Sequence, residues 1–153
     1  MSNRFKPSAA RALMALLLVA PGVAFAAAPV TASGAWIRWL PGQIPLAGYV
    51  TLHNHGARAL KLVDASSPAF KRIQLHHSMK MHGGMETMKP VSSVRIPAHG
   101  NFRFKPGDYH IMLWRKHALK VGEKVPITLE FKDGKRLRVM FTVKGPTFQG
   151  ETS

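Results

Sequence analysis

The chain has 153 residues, with 22 Lys and Arg against 7 Asp and Glu, a net charge of +15 and no cysteine. Without cysteine there is no disulfide framework, no thiol chemistry and no blue-copper electron-transfer centre, which needs a Cys thiolate. The length fits one domain with a modest core, behind a leader.

Arg4, Lys6 and Arg11 precede the apolar run LMALLLVAPGVAF and the small-residue tripeptide Ala24-Phe25-Ala26. That is the layout of a secretory signal peptide. The run is shorter than the about 20 residues a bilayer span requires, and Pro21 and Gly22 interrupt it. Cleavage after Ala26 is expected, with residues 1–26 as signal peptide and 27–153 as a single domain. No cysteine follows to accept a lipid, so a soluble periplasmic protein without a transmembrane anchor is expected. Removing three of the 22 basic residues leaves 19 against 7 acidic ones, near +12. Such a balance favours an anionic surface as partner, and export argues against nucleic acid.

After Pro29 the chain alternates apolar and polar residues in short runs, the period of strands. Strands are expected at 34–39, 47–54, 59–65, 71–76, 92–96, 101–105, 109–114, 125–131 and 136–143. Turn signals separate them at PGQIP, NHGA, PAHG, KPGD, VGEK and KDGK. Asp133-Gly134 marks a tight hairpin. Many short, evenly spaced strands imply an all-β, antiparallel Greek-key sandwich or barrel. The interval between the fourth and fifth strands is expected to be a surface loop.

That interval contains HHSMKMHGGMETM, residues 76 to 88, where seven of thirteen positions are His or Met, in a chain with eight of each. Thioethers carry no proton and favour Cu(I), whereas imidazole suits both Cu(I) and Cu(II). A thiolate beside a redox-active ion in an oxidising compartment invites oxidation, which a His/Met set avoids. Four methionines within ten positions, interleaved with Lys80, Gly83 and Gly84, do not fit a buried core. Downstream, His110 and Met112 are two apart in an expected strand, on one face with Cα atoms roughly 6.6 Å apart. Trp114 shares that face. His53, His55, His99 and His117 read as surface histidines near turns.

Met88 is followed after twenty-one residues by His110-Ile111-Met112. This resembles the motif of the PCu(A)C periplasmic copper chaperones: His, ten residues, Met, twenty-one residues, His-x-Met. AGYVTLHN, SSPAFKRIQLH, METMKPV and PGDYHIMLW are similar to the family's corresponding segments, so the resemblance runs from about Ala35 to Val143. It implies a cupredoxin-like fold and a Cu(I) site at His76, Met88, His110 and Met112. Counting ten residues back from Met88 gives His77, whereas the context KRIQLH points to His76, so His77 stays as the alternative first ligand. Met79, Met81, His82 and Met85 are candidate auxiliary ligands. The histidines His77 and His82 raise Cu(II), at a second or shared site, as a further expectation.

The resemblance also implies a copper acceptor in a respiratory cytochrome c oxidase subunit or one of its assembly factors. An enzyme is not expected, because Asp64, Glu86, Asp108, Glu123, Glu130, Asp133 and Glu151 suggest no convergent acid/base pair near the ligands. The competing reading is a non-catalytic sandwich that binds polyanions or acidic partners through its basic surface.

Overall fold

The computed structural model describes residues 29–150. The expected signal peptide lies outside the described residues. Among those described, every regular element is a strand: β1 (Val30–Arg38), β2 (Leu46–Asn54), β3 (Leu60–Ser66), β4 (Phe70–Lys80), β5 (Glu86–Pro90), β6 (Val94–Ile96), β7 (Gly100–Phe104), β8 (Tyr109–Arg115), β9 (Lys124–Phe131) and β10 (Arg136–Lys144). Alternation dictates burial most clearly in β9, where Val125, Ile127, Leu129 and Phe131 are buried and the residues between them are not. The turn between β9 and β10 follows its sequence signal. Gly134 takes φ 85°, open to glycine at no steric cost, and its amide donates to the Phe131 carbonyl at 2.9 Å.

The strands form one sheet in the order β5-β4-β8-β2-β1-β10-β9-β3-β6, with β7 paired to β2 off this path. The sheet folds over on itself, bringing β3 near β4 and β6 near β7. One core results, in which Ile37, Leu52, Leu62, Ile96, Ile111, Leu113, Ile127, Leu129, Phe141 and Val143 are fully buried. Asn54 ties its rim, donating from Nδ2 to the carbonyls of Arg58 at 2.8 Å and Pro97 at 2.9 Å and accepting from the Gly56 amide.

Three features differ from the sequence expectation. The sheet is mixed, since β1 runs parallel to β10 with Trp36 opposite Thr142; pairing between chain ends leaves no local sequence signal. The interval expected as a loop is a hairpin: β4 extends to Lys80 and returns as β5. His53 and His55 are engaged rather than free rings: His53 lies in β2 between β1 and β7, and His55 follows the end of that strand. Ring nitrogens of His53 lie 2.7 Å from Ser33 Oγ and 2.8 Å from Asn101 Oδ1, and His55 Nε2 lies 2.9 Å from Thr31 Oγ1.

Candidate metal centre

The three strands at one edge, β5-β4-β8, position the candidate ligands. In β4 the odd residues Ile73 and Leu75 turn toward the core, so even residues face outward. The antiparallel register sets His76 opposite His110, Gln74 opposite Met112 and Arg72 opposite Trp114. On the other side of β4, Ser78 stands opposite Met88 and His76 opposite Pro90. His76, Met88, His110 and Met112, from three strands, therefore share one face of the sheet edge. The twenty-one residues between Met88 and His110 hold β6, β7 and their turns, a detour that brings the chain back beside β4.

Outward does not mean exposed. His76 is 8% and His110 5% accessible, with ring centroids 5.7 Å apart. The Trp114 ring lies 6.2 Å from that of His76, and the Arg72 guanidinium lies 3.6 Å over the indole in a cation–π contact. Met112 is partly buried, whereas Met88, on the outermost strand, is 54% exposed. The pair of rings is sunk and one thioether stands at the mouth.

The two imidazoles are set up as neutral donors. His110 Nδ1 lies 3.1 Å from the Asp108 carbonyl oxygen. A carbonyl only accepts, so Nδ1 carries the proton and Nε2 keeps its lone pair. His76 Nε2 faces Gln74 Oε1 at 3.5 Å, and its Nδ1 is buried with no hydrogen-bond partner. An orphaned buried acceptor costs about 1–3 kcal/mol, a debt that a bound ion would cancel. Burial first, then the neighbouring His110 and Arg72, hold His76 below the usual imidazole range. Burial likewise lowers His110, opposed by its bond to the Asp108 carbonyl and reinforced by His77.

The donors fit a soft cation: two neutral nitrogens and two thioethers on one face, with no carboxylate among them. Among the described residues no three His, Cys, Asp or Glu side chains gather into a metal-holding group, so a site built here must draw on thioether sulfur.

The other candidates lie elsewhere on the hairpin. His77 is on the opposite face, where its ring stacks on Tyr109 at 4.0 Å and its Nε2 sits 3.2 Å from Asp108 Oδ1. Met79 pairs with Thr87 on that same face, and Met81, His82 and Met85 are exposed around the hairpin turn. The sequence reading missed Gln74, Arg72 and the Asp108 carbonyl. Gln74 and Arg72 carried a signal, their even parity with His76 in one strand; a main-chain carbonyl carries none.

A folded-over β-sheet with a buried histidine pair and flanking methionines at its edge defines a cupredoxin-like domain of the PCu(A)C type. The family model described as "Putative lipoprotein LpqE-like" matches residues 30–143, and the chain belongs to this family. The protein "Putative lipoprotein Lxx21020" of Leifsonia xyli subsp. xyli is 34% identical over 116 residues, covering 75% of this chain and 69% of the relative. Among solved structures, the Cu(I) form of DR1885 from Deinococcus radiodurans superposes with a TM-score of 0.63 at 38% identity, covering 80% of this chain and 82% of its own. The copper-bound PCuAC domain from PmoF2 gives 0.65 at 20% identity, over 80% of this chain and 97% of that domain, a likeness of fold. Among the described residues no helix is long and apolar enough to cross a membrane.

Proposed function

We propose that this protein is a periplasmic copper metallochaperone that holds Cu(I) through His76, Met88, His110 and Met112 and passes it to the copper centre of a respiratory cytochrome c oxidase. The observation that carries the reading is the unpartnered, buried His76 Nδ1 in register with His110, whose free Nε2 lies on the same face as two methionines. A nitrogen kept buried without a partner is a cost the fold has retained. The neutral donors leave the ion's charge uncompensated, which moderates affinity. Release then begins at Met88, the exposed ligand, so that an acceptor's side chains replace the donors one at a time.

The chain is released into the periplasm after cleavage at Ala26, and no reaction is catalysed: the ion is cargo. Cu(I) rather than Cu(II) is the transported state, because thioether donors select the softer ion. The excess of basic residues steers docking onto an acidic face of the acceptor and contributes more to encounter rate than to affinity.

The test is transfer of Cu(I) from the loaded protein to the soluble copper-binding domain of an oxidase second subunit, followed under anaerobic conditions. Transfer that slows as salt rises from about 20 to about 300 mM, and a Met88→Ala variant that gives up its copper to a competing chelator more readily than the wild type, support the reading. Loaded protein that retains its copper before every such acceptor would remove the delivery role.

A further inference from the structure

Strand parity gives the hairpin a second face. Its register pairs Met79 with Thr87 and Lys80 with Glu86. The Met81 amide donates to the Met85 carbonyl at 2.7 Å, which continues that register by one residue. Directly opposite residues share a face, as do residues two apart along a strand. Met79, Met81 and Met85 therefore stand together on the side opposite His76, Ser78 and Met88. The chain reverses this tightly because Gly83 and Gly84 adopt φ of 91° and 80°.

Core packing does not account for Met81 and Met85, which are 53% and 69% exposed, and Met79 beside them is half-buried. His77, on the same side, is already engaged with Tyr109 and Asp108. Beside Thr87, that face carries a triangle of thioethers. Cα atoms opposite each other stand about 5.5 Å apart, and those two along a strand about 6.6 Å. Each methionine has three rotatable bonds, enough for three sulfurs to converge on one ion.

We propose that Met79, Met81 and Met85 form a second Cu(I) site, built of thioethers alone, on the back of the hairpin. It rests on the copper-handling reading above. Three uncharged sulfurs select Cu(I) over harder or divalent ions, and their exposure makes the site weaker and faster to exchange than the sunken histidine pair. Because the two donor sets face opposite ways, the protein holds two ions at once rather than sharing one.

The experiment is anaerobic titration of the protein with Cu(I) supplied as its acetonitrile complex, with stoichiometry read against a weak chelator and coordination read by copper X-ray absorption. Two Cu(I) per chain are expected, the second at least tenfold weaker. Met81→Leu/Met85→Leu, conservative in size and exposed, is expected to keep one ion with mixed nitrogen and sulfur scattering. His76→Ala/His110→Ala is expected to keep one ion with sulfur scattering alone. A wild-type protein saturating at one ion with mixed scattering, or a Met81→Leu/Met85→Leu variant that still takes two, overturns the proposal. A single sulfur-only ion in both the wild type and the histidine variant upholds the thioether site while refuting the imidazole site.

Discussion

Acidifying the copper-free protein probes the buried imidazole pair directly. Both rings are nearly inaccessible, and burial before all else holds both below the ordinary imidazole value of about 6.5, with His110 and Arg72 adding to the effect on His76 and His77 adding to that on His110. The unfolded chain, whose histidines keep that ordinary value, therefore binds more protons than the folded one as pH drops through 6.5. Stability is unaffected by these rings above that point and is lost below it, down to the folded-state pKa values. From pH 6.5 to 5.5, a ring that stays neutral in the folded state costs about 1 kcal/mol, so the pair costs up to about 2 kcal/mol. Urea denaturation at pH 7.5, 6.5 and 5.5 measures this, with His76→Gln/His110→Gln as reference. The wild type is expected to lose more stability on acidification than the variant, by up to that amount. Parallel curves would refute the claim that the rings are held neutral by burial.

Cu(I) affinity is expected to stay level from pH 7.5 to 6.5 and to fall once protons compete for the two imidazoles, as chelator competition across that range would reveal. Met88→Ala, at an exposed edge position, is expected to change unfolding free energy by less than about 0.5 kcal/mol while weakening Cu(I) binding, so thermal melts and metal titration should separate. Ile111→Ala, fully buried between His110 and Met112 in sequence, is expected to cost about 2–5 kcal/mol in denaturant and to loosen the metal site with it. Asn54→Ala strips the partner from the Gly56 amide and two carbonyls, and is expected to cost about 1–3 kcal/mol in the same assay without altering copper binding.

Sequence patterning revealed the strands whose one face is buried. β9, with its strict alternation of Val125, Ile127, Leu129 and Phe131, begins one residue from its expected start, and β2, β7, β8 and β10 are similarly close. β5 escaped because it lies at the sheet edge with Met88, Lys89 and Pro90 all exposed; burial imposes no period on such a strand. The same blindness made a loop of the hairpin. Parity in a strand sets His76 and His77 on opposite faces, but it does not tell that His76 is buried, since its neighbours Trp114 and β8 are distant in sequence. The parallel β1–β10 pairing and the proton on His110 Nδ1, set by a main-chain carbonyl, arise only once the chain is folded.

The measurement that bears most directly on the central claim is X-ray absorption of the protein loaded anaerobically with one equivalent of Cu(I), beside Met88→Ala and His110→Ala. Nitrogen and sulfur scatterers in the wild type, with one nitrogen fewer in His110→Ala, which keeps His76, and one sulfur fewer in Met88→Ala, which keeps Met112, is the predicted result. The same coordination in all three proteins would contradict the assignment of His76, Met88, His110 and Met112 as the copper site.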